Sequence, residues 1–235
     1  MRARSHPTRF AVVILFAGMA IVAAMVVAIR HGGGSNGGSS PAPTGGTPIA
    51  DACIVRLHGK GGASAPSTVV NGVSVMSPSG NAAGWGGRQW LYFPEDDYQA
   101  ARSVVADAVA APTCARVVID GFSNGAAFAA KLYCKGETFD GRVVGFLVDD
   151  PVTDHAVDGC APAAGVKIAL YWTGALEGQA VAGWSCASAD WTCEGGSTVG
   201  IAAYAKALGT PAQPSPNHQH AAYLAAPEQW SWFTE

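Results

Sequence analysis

The sequence predicts an α/β fold, with a small and mostly parallel sheet of about five to six strands and helices on both of its faces. Three observations support this prediction. Short apolar runs rich in β-branched residues follow one another along the chain, helical or irregular stretches separate them, and one run enters a tight serine turn that leads into a helical stretch. Such alternation is typical of a parallel sheet that is buried on both faces.

The predicted elements follow one another after residue 50. The apolar runs that predict strands are 54–57, 89–93, 116–120, 143–148 and 167–172. The stretches that predict helices are 96–110, 126–134, 198–208 and 227–233. Polar residues or glycines follow the ends of these runs, and ligand sites in parallel sheets lie beyond the carboxyl ends of the strands. We therefore expect the functional site at that edge of the sheet.

An apolar segment over residues 10–29 precedes the predicted domain. Twenty residues in a helix span about 30 Å, which is the thickness of the hydrocarbon core of a bilayer. Three arginines precede the segment and one directly follows it, so the positive-inside rule places residues 1–9 in the cytoplasm. We expect an uncleaved single-pass anchor that exports the rest of the chain. The alternative is a cleaved signal peptide, which would make the protein secreted.

The exported part is expected to consist of a linker and one domain. Residues 30–50 are rich in Gly, Ser and Pro, which is typical of a flexible linker, and residues 51–235 have the size of a single domain. The residues after Arg30 include 17 acidic and 10 basic ones. Their net negative charge argues against nucleic acid and anionic lipid head groups as partners. Membrane contact is therefore expected through the N-terminal helix alone.

All six cysteines lie on the side predicted to be exported, where an oxidising environment favours disulfides. Their positions narrow the possible pairings, because two precede predicted parallel strands at one end of the sheet, two bracket a short loop and two remain. The candidate disulfides are Cys53–Cys114, Cys186–Cys193 and Cys134–Cys160. A zinc site is the alternative, but the chain has no Cys-x-x-Cys pair. We expect no metal.

The run 117–119 leads into Gly-Phe-Ser-Asn-Gly, and an alanine-rich helical stretch follows. A strand that turns so sharply into a helix forces the serine, Ser123, into a strained and protruding position, and Gly121 and Gly125 let the flanking backbones pass. A second match to the same pattern, at 33–37, has no strand before it and no helix after it. Ser123 is therefore the predicted nucleophile.

A tetrahedral intermediate formed at Ser123 would need two backbone N–H donors. The Asn124 N–H directly follows the serine. The second donor is expected in the loop after the first strand, from Lys60 or, as the alternative, from Gly61. His58 in the same loop is interpreted as a structural hydrogen bonder. No Gly-Lys-Ser/Thr follows these glycines, which argues against a phosphate site.

Together these segments resemble the α/β-hydrolase superfamily, and within it the secreted polyhydroxybutyrate-depolymerase-like and feruloyl-esterase-like serine esterases. The resemblance rests on the Gly-Phe-Ser-Asn-Gly-Ala turn with Leu132 and Cys134 downstream, the His-Gly loop and the Asp96-Asp97 helix start. It covers about residues 53–177. It implies a small α/β-hydrolase with a serine nucleophile and no cofactor. An early pair of strands is not evident in the sequence.

The resemblance also implies a triad in the chain order serine, acid, histidine. Glu177 follows the end of a predicted strand, as the acid does in these folds, and Asp150 is the reserve; two less favoured carboxylates are Asp149 and Asp154. The segment that holds His218 and His220 resembles the histidine loop of many α/β-hydrolases. Its spacing from a Pro-Glu helix start selects His220 as the base, with His218 in reserve.

The sequence thus predicts an extracytoplasmic serine hydrolase that cleaves carboxylic esters through an acyl-enzyme on Ser123. The expected substrate is a small-molecule or polymer ester. One alternative is a non-catalytic module of the same fold that binds envelope glycan or lipid. Another is an acyltransferase that passes the same acyl group to a hydroxyl. The sequence does not indicate the oligomeric state.

Overall fold

The computed structural model describes residues 52–70, 73–84, 86–110, 115–173 and 199–214, and the structural findings refer to these. The predicted anchor over 10–29 and the predicted linker over 30–50 lie outside the described residues. Among the described helices, none has both the length and the apolar character needed to cross a bilayer.

The described residues form nine strands and three α-helices. The strands are β1 (Ala52–Leu57), β2 (Ala65–Val70), β3 (Val73–Ser77), β4 (Ala82–Gly84), β5 (Gly87–Gln89), β6 (Arg116–Phe122), β7 (Val143–Asp149), β8 (Lys167–Trp172) and β9 (Ala212–Pro214). The helices are α1 (Glu95–Val109), α2 (Asn124–Cys134) and α3 (Ile201–Leu208), and a single 3₁₀ turn covers His155–Val157.

Seven of the strands form one sheet in the order β2-β3-β1-β6-β7-β8-β9. Only β2 runs antiparallel to its neighbour, while the other pairs are parallel. The remaining two strands, β4 and β5, form a separate antiparallel hairpin. The predicted fold class, a mostly parallel sheet with helices, is confirmed.

The sheet is larger than the predicted five to six strands, because no apolar run predicted β2, β3 or the three-residue β9. Strand β2 has exposed side chains along most of its length and contains Pro66, which a strand tolerates at the edge of a sheet. Strand β3 follows β2 closely and places only Val73 and Val75 in the core. Neither strand carries the continuous apolar run that marks a strand buried on both faces.

The predicted strand over 89–93 is wrong. Residues 87–89 end the small hairpin, and residues 90–93 continue as irregular backbone. Trp90 and Tyr92 are nonetheless fully buried. They lie against Phe128 of α2, with ring centroids 5.3 and 5.7 Å from it. The alternating apolar pattern thus reflects packing on a helix instead of pairing in the sheet.

The predicted helices over 96–110, 126–134 and 198–208 correspond to α1, α2 and α3. Helix α1 buries a stripe made of Tyr98, Ala101, Val105 and Val109, and its first turn is acidic, which suits the positive end of a helix dipole. All eleven residues of α2 are buried, including the polar ones. The predicted helix over 227–233 lies outside the described residues.

One large core joins the three described α-helices to one face of the sheet, so the described residues do not include the helices predicted on the other face. It contains alternate residues of the central strands, such as Val55, Ile119 and Val148, together with the apolar sides of α1, α2 and α3. Smaller apolar clusters occupy the opposite face of the sheet, one of which contains Leu147 and Tyr171. This core holds the carboxyl ends of the central strands in place, and the candidate site lies at these ends.

Cys134 at the end of α2 and Cys160 form a disulfide, which is one of the three predicted pairs. Cys53 is also disulfide-bonded. Its predicted partner Cys114 lies outside the described residues, as do both members of the predicted Cys186–Cys193 pair. The Cys134–Cys160 bond ties α2 to the segment that follows the 3₁₀ turn.

Candidate active site

Four parallel strands end side by side at the candidate site. Strands β1, β6, β7 and β8 are neighbours in the sheet, and their carboxyl ends lead to His58, Ser123, Asp150 and Thr173. This is the edge at which parallel sheets bind their ligands. Four residues of the sequence prediction, Lys60, Ser123, Asn124 and the reserve acid Asp150, lie in the segments that leave this edge.

Ser123 occupies the turn between β6 and α2 in a conformation that few residues adopt. Its φ is 56° and its ψ is −117°. A positive φ at a residue other than glycine costs about 1–3 kcal/mol, and it persists only where the surrounding structure enforces it. The Ser123 N–H donates to the carbonyl oxygen of Asp149 at 3.0 Å, which extends the pairing of β6 with β7 into the turn. Ser123 is 3% exposed.

The two glycines of the motif are required by close backbone contacts. A Cβ on Gly121 would lie 2.3 Å from the carbonyl oxygen of Gly125, and a Cβ on Gly125 would lie 2.3 Å from the carbonyl oxygen of Leu57. Both distances are far below van der Waals contact. The strand, the turn and the end of β1 can therefore approach this closely only with glycine at both positions, as the sequence pattern predicted.

Asn124 begins α2 directly after the serine. The N–H groups in the first turn of a helix have no partner within the helix and carry its positive dipole end. Further along the helix, the N–H groups of Ala126 and Ala127 donate to the Ser123 carbonyl at 3.0 and 3.1 Å. A developing negative charge beside Ser123 would thus meet the favourable end of α2.

The loop after β1 lies against the serine turn. A Cβ on Gly59 would be 3.2 Å from the Cβ of Ser123 and 3.2 Å from a ring carbon of Phe122. The Gly61 N–H donates to the carbonyl of Arg88 at 2.9 Å, so this group is engaged away from the serine. Of the two predicted donors in the loop, this geometry favours Lys60.

His58 has the structural role that the sequence analysis gave it. Its Nε2 accepts a hydrogen bond from the Gly80 N–H at 3.0 Å, and its Nδ1 lies 2.8 Å from the carbonyl oxygen of Gly59. Because Nε2 is an acceptor here, the proton belongs on Nδ1 and the ring is neutral. Burial lowers the pKa of His58, against the opposing effect of the hydrogen bond to Gly59.

Trp90 contacts both the serine turn and the loop after β1. Its backbone N–H donates to Asn124 Oδ1 at 2.8 Å, and its carbonyl accepts from Asn124 Nδ2 at 3.1 Å. Its indole N–H donates to the carbonyl of His58 at 3.1 Å. Sequence analysis missed this role of Trp90, because the partners lie more than thirty residues away in the chain.

The reserve acid Asp150 follows β7 and is buried. Its Oδ1 accepts from the Thr173 N–H at 3.1 Å, and its Oδ2 accepts from the Thr173 hydroxyl at 2.7 Å. These bonds join the ends of β7 and β8. Asp154, a less favoured candidate, accepts instead from the Tyr92 hydroxyl at 2.7 Å and from the Ala156 N–H at 2.9 Å.

Two buried carboxylates among the described residues have raised pKa values. Burial raises the pKa of Asp120 to about 6, and the nearby Arg56 opposes this effect from 3.6 Å. Burial also raises the pKa of Asp154 to about 6, against its hydrogen bond from Tyr92. Asp120 lies on β6, three residues before Ser123. Both groups therefore change charge in the mildly acidic range.

The remaining members of the predicted triad lie outside the described residues. These are Glu177, His218 and His220. The described part thus brings together Ser123, Asn124 and the loop that contains Lys60, while the acid and the base stay predictions.

The residues missed by sequence reasoning are those that hold the described part together. Trp90 and Thr173 each bond to a candidate residue across the strand ends. One signal was present for Asn124, since asparagine is a poor helix former. Its place in the first turn of an alanine-rich helix indicates a task for the side chain itself.

Comparisons with known proteins find solved structures with some similarity and no match in sequence. No family model matches the chain, and neither does any curated protein. The chain is similar in structure to a carboxylesterase of Bacillus cereus, with 17% identity, a TM-score of 0.45, and 79% of this chain and 89% of that chain covered. It is also similar to protein Atu2452 of unknown function from Agrobacterium tumefaciens strain C58, with 16% identity, a TM-score of 0.43, and coverage of 78% and 88%.

A third structure is a variant of SOBER1 from Arabidopsis thaliana, with 16% identity, a TM-score of 0.39, and coverage of 78% and 96%. Many unrelated activities share one fold, so function has to be argued from the site. The sheet order and the strand–serine–helix turn at Ser123 are properties of the chain itself. On these properties, the described residues form the α/β-hydrolase fold that the sequence analysis predicted.

Proposed function

We propose that the protein is a serine esterase that cleaves carboxylic esters through an acyl-enzyme on Ser123. The observation that carries this proposal is the backbone of Ser123, held at φ 56° between a strand and a helix by two glycine contacts. A serine in an ordinary turn would relax to an unstrained conformation. Strain of this kind persists where the surroundings impose it, and it clusters at active sites.

The proposed chemistry follows from the groups around the serine. The Ser123 oxygen attacks the ester carbonyl carbon, and its proton passes to a base, which we assign to His220. The tetrahedral oxyanion is held by the N–H groups of Asn124 and Lys60. The intermediate collapses with loss of the alcohol, which takes up the proton from the base. Water then attacks the acyl-enzyme and releases the acid.

The supports for the oxyanion donors are structural. Asn124 begins a fully buried helix, so its N–H carries the positive end of the dipole in a region from which water is largely excluded. The loop of Lys60 lies against the serine turn through Gly59. Electrostatic stabilisation by fixed backbone donors is strongest where they need no rearrangement during the reaction.

We further propose that Glu177 orients His220 and that the domain works outside the cytoplasm on an N-terminal anchor. The location rests on the apolar segment 10–29 and its flanking arginines. The disulfides of Cys53 and of the Cys134–Cys160 pair fit an oxidising compartment.

The test is hydrolysis of p-nitrophenyl esters of increasing acyl length by the purified protein and by a Ser123→Ala variant. Ser103→Ala, a change at an exposed serine on α1, is the matched control. We expect the wild type and the control to turn over at least one short ester, and Ser123→Ala to lose about 10³-fold or more in kcat.

Two results would contradict the proposal. Full activity in Ser123→Ala would show that Ser123 is not the nucleophile. No turnover of any ester by a folded wild type would favour a binding module instead. Product analysis in the presence of glycerol separates the remaining alternative, since an acyltransferase would form the glycerol ester instead of the free acid.

A further inference from the structure

We propose that Trp90 and the Asn124 side chain are positioning residues that hold the two halves of the oxyanion site in register. This inference rests on the proposed function. The two proposed donors, Asn124 and Lys60, come from segments more than sixty residues apart in sequence. A rate enhancement from fixed donors requires that their separation be held to within a fraction of an ångström.

The first half of the link joins α2 to Trp90. The carboxamide of Asn124 accepts from the Trp90 N–H at 2.8 Å and donates to the Trp90 carbonyl at 3.1 Å. Two bonds to one residue fix both the distance and the orientation of the side chain. Asn124 is 7% exposed and Trp90 fully buried, so water does not compete well for these bonds.

The second half joins Trp90 to the loop after β1. The Trp90 indole N–H donates to the His58 carbonyl at 3.1 Å. Trp90 is held in place by Phe128 of α2, whose ring lies 5.3 Å from its own in a stacked arrangement. His58 lies two residues before Lys60 in the same loop. Trp90 therefore bonds to both segments that supply the proposed donors.

The far side of the loop is fixed independently of Trp90. The His58 ring accepts from the Gly80 N–H, and Arg88 exchanges backbone bonds with the loop at 2.9 and 2.7 Å through Gly61 and Gly62. These contacts hold the loop to the small hairpin. Among the described residues, Trp90 connects the loop to α2 through side-chain hydrogen bonds.

Asn81 offers a matched control for Asn124. Asn81 makes the same pair of hydrogen bonds to Leu91. Its Oδ1 accepts from the Leu91 N–H at 2.9 Å, and its Nδ2 donates to the Leu91 carbonyl at 3.0 Å. Asn81 thus anchors the same extended segment. Its partner Leu91 makes no described bond to the serine turn, so loss of the Asn81 bonds disturbs the fold locally without separating the two donors.

The experiment compares kcat and KM for Asn124→Ala, Trp90→Phe, the double variant and Asn81→Ala. Trp90→Phe keeps an aromatic ring against Phe128 but removes the indole donor and part of the buried side-chain volume, so its melting curve is compared with that of wild type. We expect kcat to fall about 10- to 100-fold in each single variant with KM within about threefold of wild type.

The double variant gives the sharpest distinction. If Asn124 and Trp90 form one link, breaking it twice costs no more than breaking it once, so the double variant should match the worse single variant in kcat. Effects that multiply would show independent contributions and overturn the inference. A melting curve for each variant establishes that the protein measured is folded.

The outcomes separate this inference from the proposed function. A folded wild type without any esterase activity overturns both. An active wild type whose Asn124→Ala and Trp90→Phe variants keep their kcat overturns the positioning role alone, as does an equal loss in Asn81→Ala. Loss of kcat in the first two variants, with Asn81→Ala within about threefold of wild type, supports it.

Discussion

The two ends of helix α2 are held by different means. At its start, Ser123 has a strained backbone and no side-chain cap, and Gly125 touches the backbone of β1. At its end the backbone is relaxed, with Lys135 at φ −81°, and the disulfide from Cys134 and a hydrogen bond from the Ala161 N–H to the Cys134 carbonyl hold the last turn. The strained end faces the candidate site, while the relaxed end is anchored.

A buried lysine completes the anchored end. Lys131 donates to the carbonyl of Tyr92 and lies 3.2 Å from the centroid of the Phe93 ring. A desolvated cation over an aromatic face is worth about 2 kcal/mol or more. We infer that the anchored end supplies stability that offsets the strain at the serine. Changes at the start should therefore affect activity first, and changes at the end should affect stability first.

The largest effect is expected from Gly125→Ala at the strained end. The new methyl group would lie 2.3 Å from the Leu57 carbonyl oxygen and 2.6 Å from that of His58. Because both neighbours are backbone atoms, the strand or the helix must move. We expect esterase activity to be lost and the free energy of unfolding to fall by about 3 kcal/mol or more, measured by urea unfolding.

The matched control for this change is Gly141→Ala. Gly141 has a positive φ, of 78°, whereas Gly125 lies in helix α2, and a Cβ on Gly141 would meet nothing within 4 Å. We expect a loss of only about 1 kcal/mol from backbone strain and no change in kcat. Equal effects of the two substitutions would show that the close approach to β1 is not what makes Gly125 necessary.

At the anchored end, we expect the Cys134→Ala, Cys160→Ala double variant to lose stability but not activity. The bond closes a loop between residues 26 apart in the chain, which by the chain-entropy relation contributes about 3 kcal/mol. The melting temperature should fall, while kcat at 25 °C should stay within about twofold of wild type. A folded variant with a tenfold lower kcat would show that the anchored end also governs the site.

A smaller effect is expected at Asp120, on the strand that leads to the strained end. Burial raises the pKa of its carboxyl from 3.8 to about 6. Between about pH 4 and pH 6 the native protein therefore holds more protons than the unfolded chain, and the free energy of unfolding falls as pH rises through this window. The fall due to this group is about 2 kcal/mol.

Asp120→Asn removes this dependence, so the variant should lose less stability than wild type between pH 4 and pH 7. Urea unfolding at a series of pH values measures it. Asp154, whose pKa is also about 6, still makes the free energy of unfolding of the variant fall as pH rises. A variant whose stability falls as steeply as that of wild type would contradict the assignment to Asp120.

Local patterns in the sequence predicted the strained end well, and the contacts around it poorly. The β-branched run, the two glycines and the alanine-rich stretch lie within twenty residues, so strand, turn and helix could be deduced together. Strand β2 was missed because its exposed side chains give no apolar signal. The bonds from Asn124 to Trp90 join residues 34 positions apart, and no local pattern records such a contact.

The central claim is that Ser123 is an activated nucleophile, and labelling with a fluorophosphonate probe tests it most directly. The probe reacts with an activated serine hydroxyl, and mass spectrometry of the digested protein identifies the residue that carries it. We expect a single adduct at Ser123 in wild type, and none in Ser123→Ala. A folded wild type that remains unlabelled, or that is labelled at another serine, would contradict the claim.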